Sequence, residues 1–345
     1  MTSYSGLFNG LGLREWCNAG ATEAPESMAD LLAKVGTPKG SDATFPFPSL
    51  DNLHEACHAV PRTRDVTAGL ERLFLNVKDP IKVVLDPLTQ PLSWMLQNAI
   101  SGVQALPWWL SFLVLLAIVQ IATRRTRVTI FVCLALSTLA FFDHFDFAMQ
   151  TLAIIIVCTA ICVVLGVPIG ILMSRSNRVE RSILPLLDLL QTLPSFVYLI
   201  PLIFLFSVTE PKLYGIAIVL YAIVPIVRLT NLGIRLVDRD IVEAAEAYGM
   251  TTWQKLMRVE LPLALPNIMA GLNQTIMMSL SMVVIASLVS APGLGTLVLR
   301  GINKLELGVG LVAGLGIVLL AIVLDRVSKA SLERISLHKL TEGRS

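Results

Sequence analysis

The sequence predicts an all-α integral membrane protein with about seven transmembrane helices, and three observations carry that prediction. The 345-residue chain is 54% hydrophobic and 15% charged, with a mean hydropathy of +0.72. That is too apolar for a soluble domain and too poor in charge for a fully solvated surface. Seven stretches, roughly residues 107–123, 128–142, 147–173, 183–208, 213–235, 267–290 and 307–324, approach the run of about 20 mostly apolar residues that a membrane helix needs. Lysines and arginines gather in alternate connections between those stretches, the pattern that orients a chain across a bilayer.

One set of connections holds Arg124, Arg125 and Arg127, then Arg175, Arg178 and Arg181, then Arg235, Arg239, Lys255 and Arg258, and finally Arg326, Lys329, Arg334, Lys339 and Arg344. The other set holds Lys212, Arg300 and Lys304, and residues 143–146 add no lysine or arginine. The alternation closes with seven spans, the N-terminus outside and the C-terminus in the cytoplasm. The stretch 128–142 is short, and without it the orientation of everything before it would reverse. A net charge of +2 argues neither for nor against nucleic acid; with no basic run interleaved with aromatics, nucleic acid is not expected as a partner and membrane lipid is.

Ahead of the spans, residues 1–100 read as a polar and amphipathic tail on the outer side. Residues 1–11 lack the basic start and long apolar run of a secretory signal. Glycine, proline, serine and aspartate punctuate residues 36–51. Helical periodicity recurs over 27–35 (Met28, Leu31, Leu32, Val35), 68–77 (Leu70, Leu73, Phe74, Val77) and 87–103 (Leu92, Trp94, Met95, Ile100). These apolar faces are expected to pack on one another or on the bilayer interface. Of the five cysteines, Cys133, Cys158 and Cys162 lie in apolar runs and read as packing residues. Cys17 and Cys57 lie in the tail, where an outer location permits a bridge that the sequence leaves open. His54 and His58 flank Cys57 without a third and fourth metal ligand in view. No histidine pairs with a nucleophile, so the chain is not read as an enzyme.

Polar groups inside a span are costly unless paired. In the fourth span Asp188, Gln191, Ser195 and Tyr198 recur at three- and four-residue spacing, on one helix face. Pro194 and Pro201 should kink or unwind that helix. In the sixth span Asn273, Met277 and Ser281 share a face, beside Gln274, Met278 and Ser281. Gln191, Ser195, Tyr198, Asn273, Gln274, Met277 and Ser281 are the candidate translocation path; hydrogen bonding between helices is the equal alternative. Asp188 and Arg228 fall at similar depth and read as a structural ion pair or lipid-headgroup contacts rather than a proton relay. Met277, Met278 and Met282 read as adaptable packing, and His144 as a solvated loop residue.

Between the fifth and sixth spans the chain turns polar. Glu243, Ala244, Ala245 and Ala247 favour a helix, Gly249 can end it, and Thr251 or Thr252 can cap a second short helix through Trp253, Leu256, Met257 and Val259. Pro262 and Pro266 are expected to punctuate its end. Glu243, Ala244, Ala245, Gly249, Val259, Leu261 and Pro262 resemble, in type and spacing, the signature loop of ABC importer permeases; Val259 stands where isoleucine is more usual. The charge pattern independently puts this loop on the cytoplasmic side, where ATP is. Three further stretches, residues 191–201, 265–275 and 279–287, resemble the glycine betaine/proline betaine importer permeases, and Pro292, Gly293, Leu294 and Gly295 look like that family's turn after the sixth span.

The resemblance covers about residues 147–328. It implies a type I importer core of five helices in a bacterial inner membrane, with a coupling loop over 238–266; the apolar runs add two spans over 101–146, and the charge pattern makes the loop and a tail over 329–345 cytoplasmic. It implies a homodimer, cytoplasmic ATPase subunits that bind ATP and magnesium, and a substrate-binding protein on the outer face. The chain itself has no phosphate-binding loop and no cofactor of its own is expected. The expected cargo is glycine betaine, proline betaine or a related quaternary amine taken up as an osmoprotectant, with choline, carnitine or another small amine or amino acid as the alternative. An ion-coupled secondary carrier would call for more intramembrane carboxylates and a convincing inverted repeat.

Overall fold

In the computed structural model, residues 48–342 are described, together with Tyr4, Phe8, residues 11–13, Trp16 and Cys17. The helix expected over 27–35 lies outside the described residues. Contacts divide the chain into two units, Met1–Ile81 and Lys82–Ser345.

In the first unit, helix α1 (Leu50–Ala56) starts at Ser49, whose hydroxyl accepts from the Asn52 amide at 3.3 Å, and ends at Cys57. Cys57 is disulfide-bonded to Cys17, which answers the question the sequence left open. The Asp51 carboxylate accepts from the Thr63 amide and hydroxyl at 3.0 and 3.1 Å. This fixes the start of α2 (Thr63–Ala105), which runs through the unit boundary. The two helical patterns read over 68–77 and 87–103 are parts of this one helix. Pro80, Pro87 and Pro91 do not interrupt it, because all three stand on its exposed side, where freed carbonyls can be solvated.

The second unit is built from α3 (Trp108–Thr123), α4 (Thr126–Phe141), α5 (Phe145–Arg175), α6 (Asn177–Thr192), α7 (Leu199–Leu205) and α8 (Pro211–Arg235). These are followed by α9 (Arg239–Ala247), α10 (Thr252–Lys255), α11 (Leu261–Ala286), α12 (Leu294–Asn303) and α13 (Leu307–Glu342). Among the described residues every regular element is helical. α8 is the hub, packed on α5 along one side and α11 along the other. Small residues permit this closeness: a β-carbon on Gly170 would come within 2.6 Å of Thr230 Cβ, and one on Gly271 within 3.2 Å of the Pro225 carbonyl. Ile154, Ile155, Leu213, Ile218, Met282 and Leu294 fill the interior. At the far end of the bundle Lys212 is buried, held by Asp86 at 2.7 Å and Glu210 at 3.0 Å, with its ammonium 5.1 Å from the Phe206 ring centre.

Four helices, Phe145–Arg175, Pro211–Arg235, Thr252–Val289 and Leu307–Ser331, are long and apolar enough to cross a membrane. Two bent pairs bring the number to six: Thr63–Ala105 with Trp108–Thr123, bent by 115°, and Asn177–Thr192 with Ser195–Leu205, bent by 107°. Thr126–Phe141 is a shorter apolar helix. The fourth predicted span is thus unwound at Pro194, one of the two outcomes expected there, and its first half starts at Asn177 instead of 183. Leu193 and Pro194 are extended, and a 3-10 turn over Ser195–Tyr198 restarts the chain. The sixth differs too. Pro262 and Pro266 do not end the preceding helix but lie inside α11, which continues directly from α10 through a π-helical turn over Leu256–Glu260.

Candidate functional site

The loop between α8 and α11 is built by local signals that agree. The Asp238 carboxylate caps α9 by accepting from the Asp240 amide at 3.0 Å. Glu243, Ala244 and Ala245 lie on α9, which packs on α10 and the turn after it; Ala245 is buried while Glu243 and Ala244 are exposed. At its end the Met250 amide donates to the Ala245 carbonyl at 3.2 Å and the Gly249 amide to Glu246 at 2.9 Å. This double bond pattern needs a left-handed residue, and Gly249 supplies it with φ +75°. Thr251 and Gln254 then exchange side-chain and backbone hydrogen bonds at 3.3 and 2.9 Å, starting α10. Lys255 pairs with Glu246 and braces the two helices.

Leu256 drops into an apolar cluster with Ile234, Ala264 and Ile268, while Val259, Leu261 and Pro262 are half-buried beneath it. The Leu261 amide reaches back to Leu256, giving the wide turn. Pro262 explains that turn: it has no N–H, and in a regular helix its ring would meet the Arg258 carbonyl. What the loop leaves uncovered is aromatic, with Tyr248 87% and Trp253 66% exposed. The loop therefore presents an exposed aromatic surface of the kind that marks a site of protein contact.

Beneath it lies a network that the sequence reading missed. Glu260, buried at 5% exposure, receives both terminal nitrogens of Arg175 from the end of α5, one at 3.2 Å. Arg235 donates to Asn231 at 3.0 Å, Asn177 at 2.9 Å and the Met173 carbonyl at 2.9 Å, and pairs with Glu180 at 2.9 Å. The sequence showed Arg175 and Arg235 only as orienting charges. The position of Glu260, between Val259 and Leu261 of the signature, was the one available signal.

The seven candidate path residues divide. Gln191 is exposed at the end of α6, and Ser195 is half-buried at the start of the 3-10 turn, which packs against α11. Tyr198 is buried; its hydroxyl donates to the Leu190 carbonyl across the break and its ring meets Tyr221 at 6.3 Å. Asn273 donates to Asp325 of α13 at 3.2 Å, away from Gln274 and Ser281, which are exposed; Met277 is half-buried between them. The face shared by Asn273, Met277 and Ser281 thus splits between interhelical bonding and an open surface, which the neighbouring Gln274 joins. Arg228 and Asp188 form the expected ion pair. His144 is half-buried rather than free in solvent, with Nδ1 bonded to the Phe142 carbonyl. Cys158 and Cys162 are buried and Cys133 is half-buried, all three as free thiols.

Residues 163–337 match the family model described as binding-protein-dependent transport system inner membrane component. The glycine betaine/proline betaine transport system permease ProW of Escherichia coli is 37% identical over 330 residues, covering 90% of this chain and 89% of that protein. The glycine betaine transport system permease OpuAB of Bacillus subtilis is 44% identical over 65% of this chain and 75% of its own length. The glycine betaine/carnitine transport permease GbuB of Listeria monocytogenes is 42% identical over 72% and 93%. Among solved structures, the inward-facing MetNI methionine ABC transporter superposes on 57% of this chain and 97% of its own, with a TM-score of 0.51 at 18% identity, a likeness of fold. With the type I core, the signature loop and near full-length similarity in agreement, the chain belongs to the binding-protein-dependent transport system inner membrane components, the multi-pass permease subunits of ABC importers.

Proposed function

We propose that this chain is the permease of an ATP-driven importer for glycine betaine, proline betaine or a related quaternary amine, serving osmoprotectant uptake. The observation that carries the reading is the 37% identity to the Escherichia coli permease across nine-tenths of both chains. Carnitine is the second reading, favoured by the Listeria permease named for both compounds. The working unit is two copies of this chain, two cytoplasmic ATPase subunits that hold ATP and magnesium, and a binding protein on the outer face. The N-terminal tail lies outside and the C-terminus inside.

In this reading the loop over 238–266 is the coupling helix. ATP binding draws the ATPases together, the loops move with them, and the path between the two copies turns from one side to the other. A shift of this kind needs contacts that differ between the two states, and the exposed Tyr248 and Trp253 are suited to make them. Exposed Gln274 and Ser281 offer hydrogen-bonding groups to a small cargo. Selection among amines rests with the binding protein, where aromatic cages favour quaternary ammonium groups. The test is uptake of labelled glycine betaine by cells lacking other betaine carriers, expressing this chain with its ATPase and binding protein or without the ATPase. ATPase-dependent uptake is expected. Uptake that persists without any ATPase would overturn the transport class, and uptake of carnitine alone would overturn the primary cargo.

A further inference from the structure

We propose that Arg175 and Glu260 form a positioning pair that transmits movement of the coupling loop to α5, so that energy from the ATPase reaches α5 directly as well as α8 and α11, the two helices that the loop joins. The proposal rests on the coupling role of the loop over 238–266. Four observations support it.

First, among the described residues this is the only ion pair joining residues 238–266 to another part of the bundle; Lys255–Glu246 stays within the loop. Second, its acidic member is buried while the Arg175 side chain is 32% exposed, so breaking the pair leaves a buried carboxylate without its partner. Third, Glu260 is the last residue of the π-turn, between the loop and α11. A π-turn carries one residue more than the helix on either side, and tightening it shifts the register of α11. Fourth, Arg175 ends α5, whose last turn is also held by Arg235 of α8 through the Met173 carbonyl. Force arriving at Arg175 therefore enters a helix clamped to α8 along its length through Gly170. Without the pair, the loop would still push α8 and α11 through the continuous backbone, but α5 would follow only through its packing on those two helices and the few hydrogen bonds between them, such as Arg235 to the Met173 carbonyl and Thr159 to Ser279 at 3.4 Å.

The experiment uses the full assembly in liposomes, with the ATPase and binding protein, and compares wild type with Glu260→Gln, Arg175→Gln and the charge swap Arg175→Glu/Glu260→Arg. Glu260→Gln keeps the volume and removes the charge. The readout is ATP hydrolysed per labelled glycine betaine moved. Each single change is expected to raise that ratio roughly tenfold while hydrolysis continues, and the swap to recover most of the loss. Unchanged ratios in the single variants would overturn the proposal, as would a swap no better than either single change. Failure of Glu260→Gln to insert or assemble would make the pair a folding element and also overturn it. If the wild type hydrolyses ATP in response to the binding protein but moves no betaine, the cargo reading fails alone. The pair is then read from that stimulation, which the single changes are expected to flatten; stimulation left intact would overturn it.

Discussion

At the scale of single residues, the chain places its demands where the backbone leaves no alternative. Gly249 has φ +75° and open space around the position of a β-carbon, so substitution there costs backbone strain alone, about 1–2 kcal/mol. Aspartate tolerates that conformation better than most residues, yet brings charge to the turn beside Tyr248. Gly249→Asp is expected to leave membrane insertion within about twofold of wild type and to lower uptake at least tenfold, roughly 1.4 kcal/mol of lost coupling. Normal uptake by that variant would remove the turn from the coupling mechanism. The signature residues were legible because their order is local: cap, helix, glycine and second cap fall within a short stretch whose hydrogen bonds close on themselves. Glu260 was not, because its partner lies 85 residues away and no local pattern marks a buried acid as paired. Tyr198 and Asn273 show the same limit, since face and spacing place a polar group on a helix without naming the neighbour that satisfies it.

Helices and their breaks tell a related story. The apolar runs announced the spans, and Pro194 announced the break after Thr192, because a proline also restrains the residue before it to extended backbone. The prolines at 262 and 266 misled for a physical reason: a widened turn just ahead of Pro262 absorbs the missing hydrogen bond, and the helix continues. Helix pairing was the least legible part, because close approach depends on which glycine faces which neighbour. Gly170 packs its backbone against Thr230 and the Val227 carbonyl, whereas Gly314 on α13 has nothing near the position of a β-carbon. Gly170→Val is therefore expected to force α5 from α8 and lower stability by about 1–3 kcal/mol, while Gly314→Val, built the same way, leaves it unchanged. Thermal unfolding in detergent reads the difference, and equal midpoints would mean that this contact does not hold the pair together.

For the whole molecule, the decisive question is which way the bundle faces. Two independent features agree. The basic residues favour the connections that include the signature loop, and the Cys17–Cys57 disulfide belongs in an oxidising compartment. If the tail is outside, an odd number of crossings must separate it from the signature loop. Two of the four long helices precede the loop, so an odd number of the remaining three, the two bent pairs and the short helix Thr126–Phe141, must be spans; counting all three gives the expected seven. Two exposed positions on opposite sides of α11 and α12 test this directly. Tyr248, 87% exposed, stands on the coupling loop, and Leu305, 89% exposed, stands in the turn between α12 and α13. Single cysteines there have a quiet background, since Cys17 and Cys57 are bonded and the other three thiols are buried or half-buried. With a membrane-impermeant maleimide, Leu305→Cys is expected to react in intact cells, and Tyr248→Cys only in inside-out vesicles. The reverse labelling would invert the orientation and put the loop beyond reach of ATP. Labelling of both from one side would remove a span between them, and with it the bundle geometry on which a push at the coupling loop becomes a change of access at the far face.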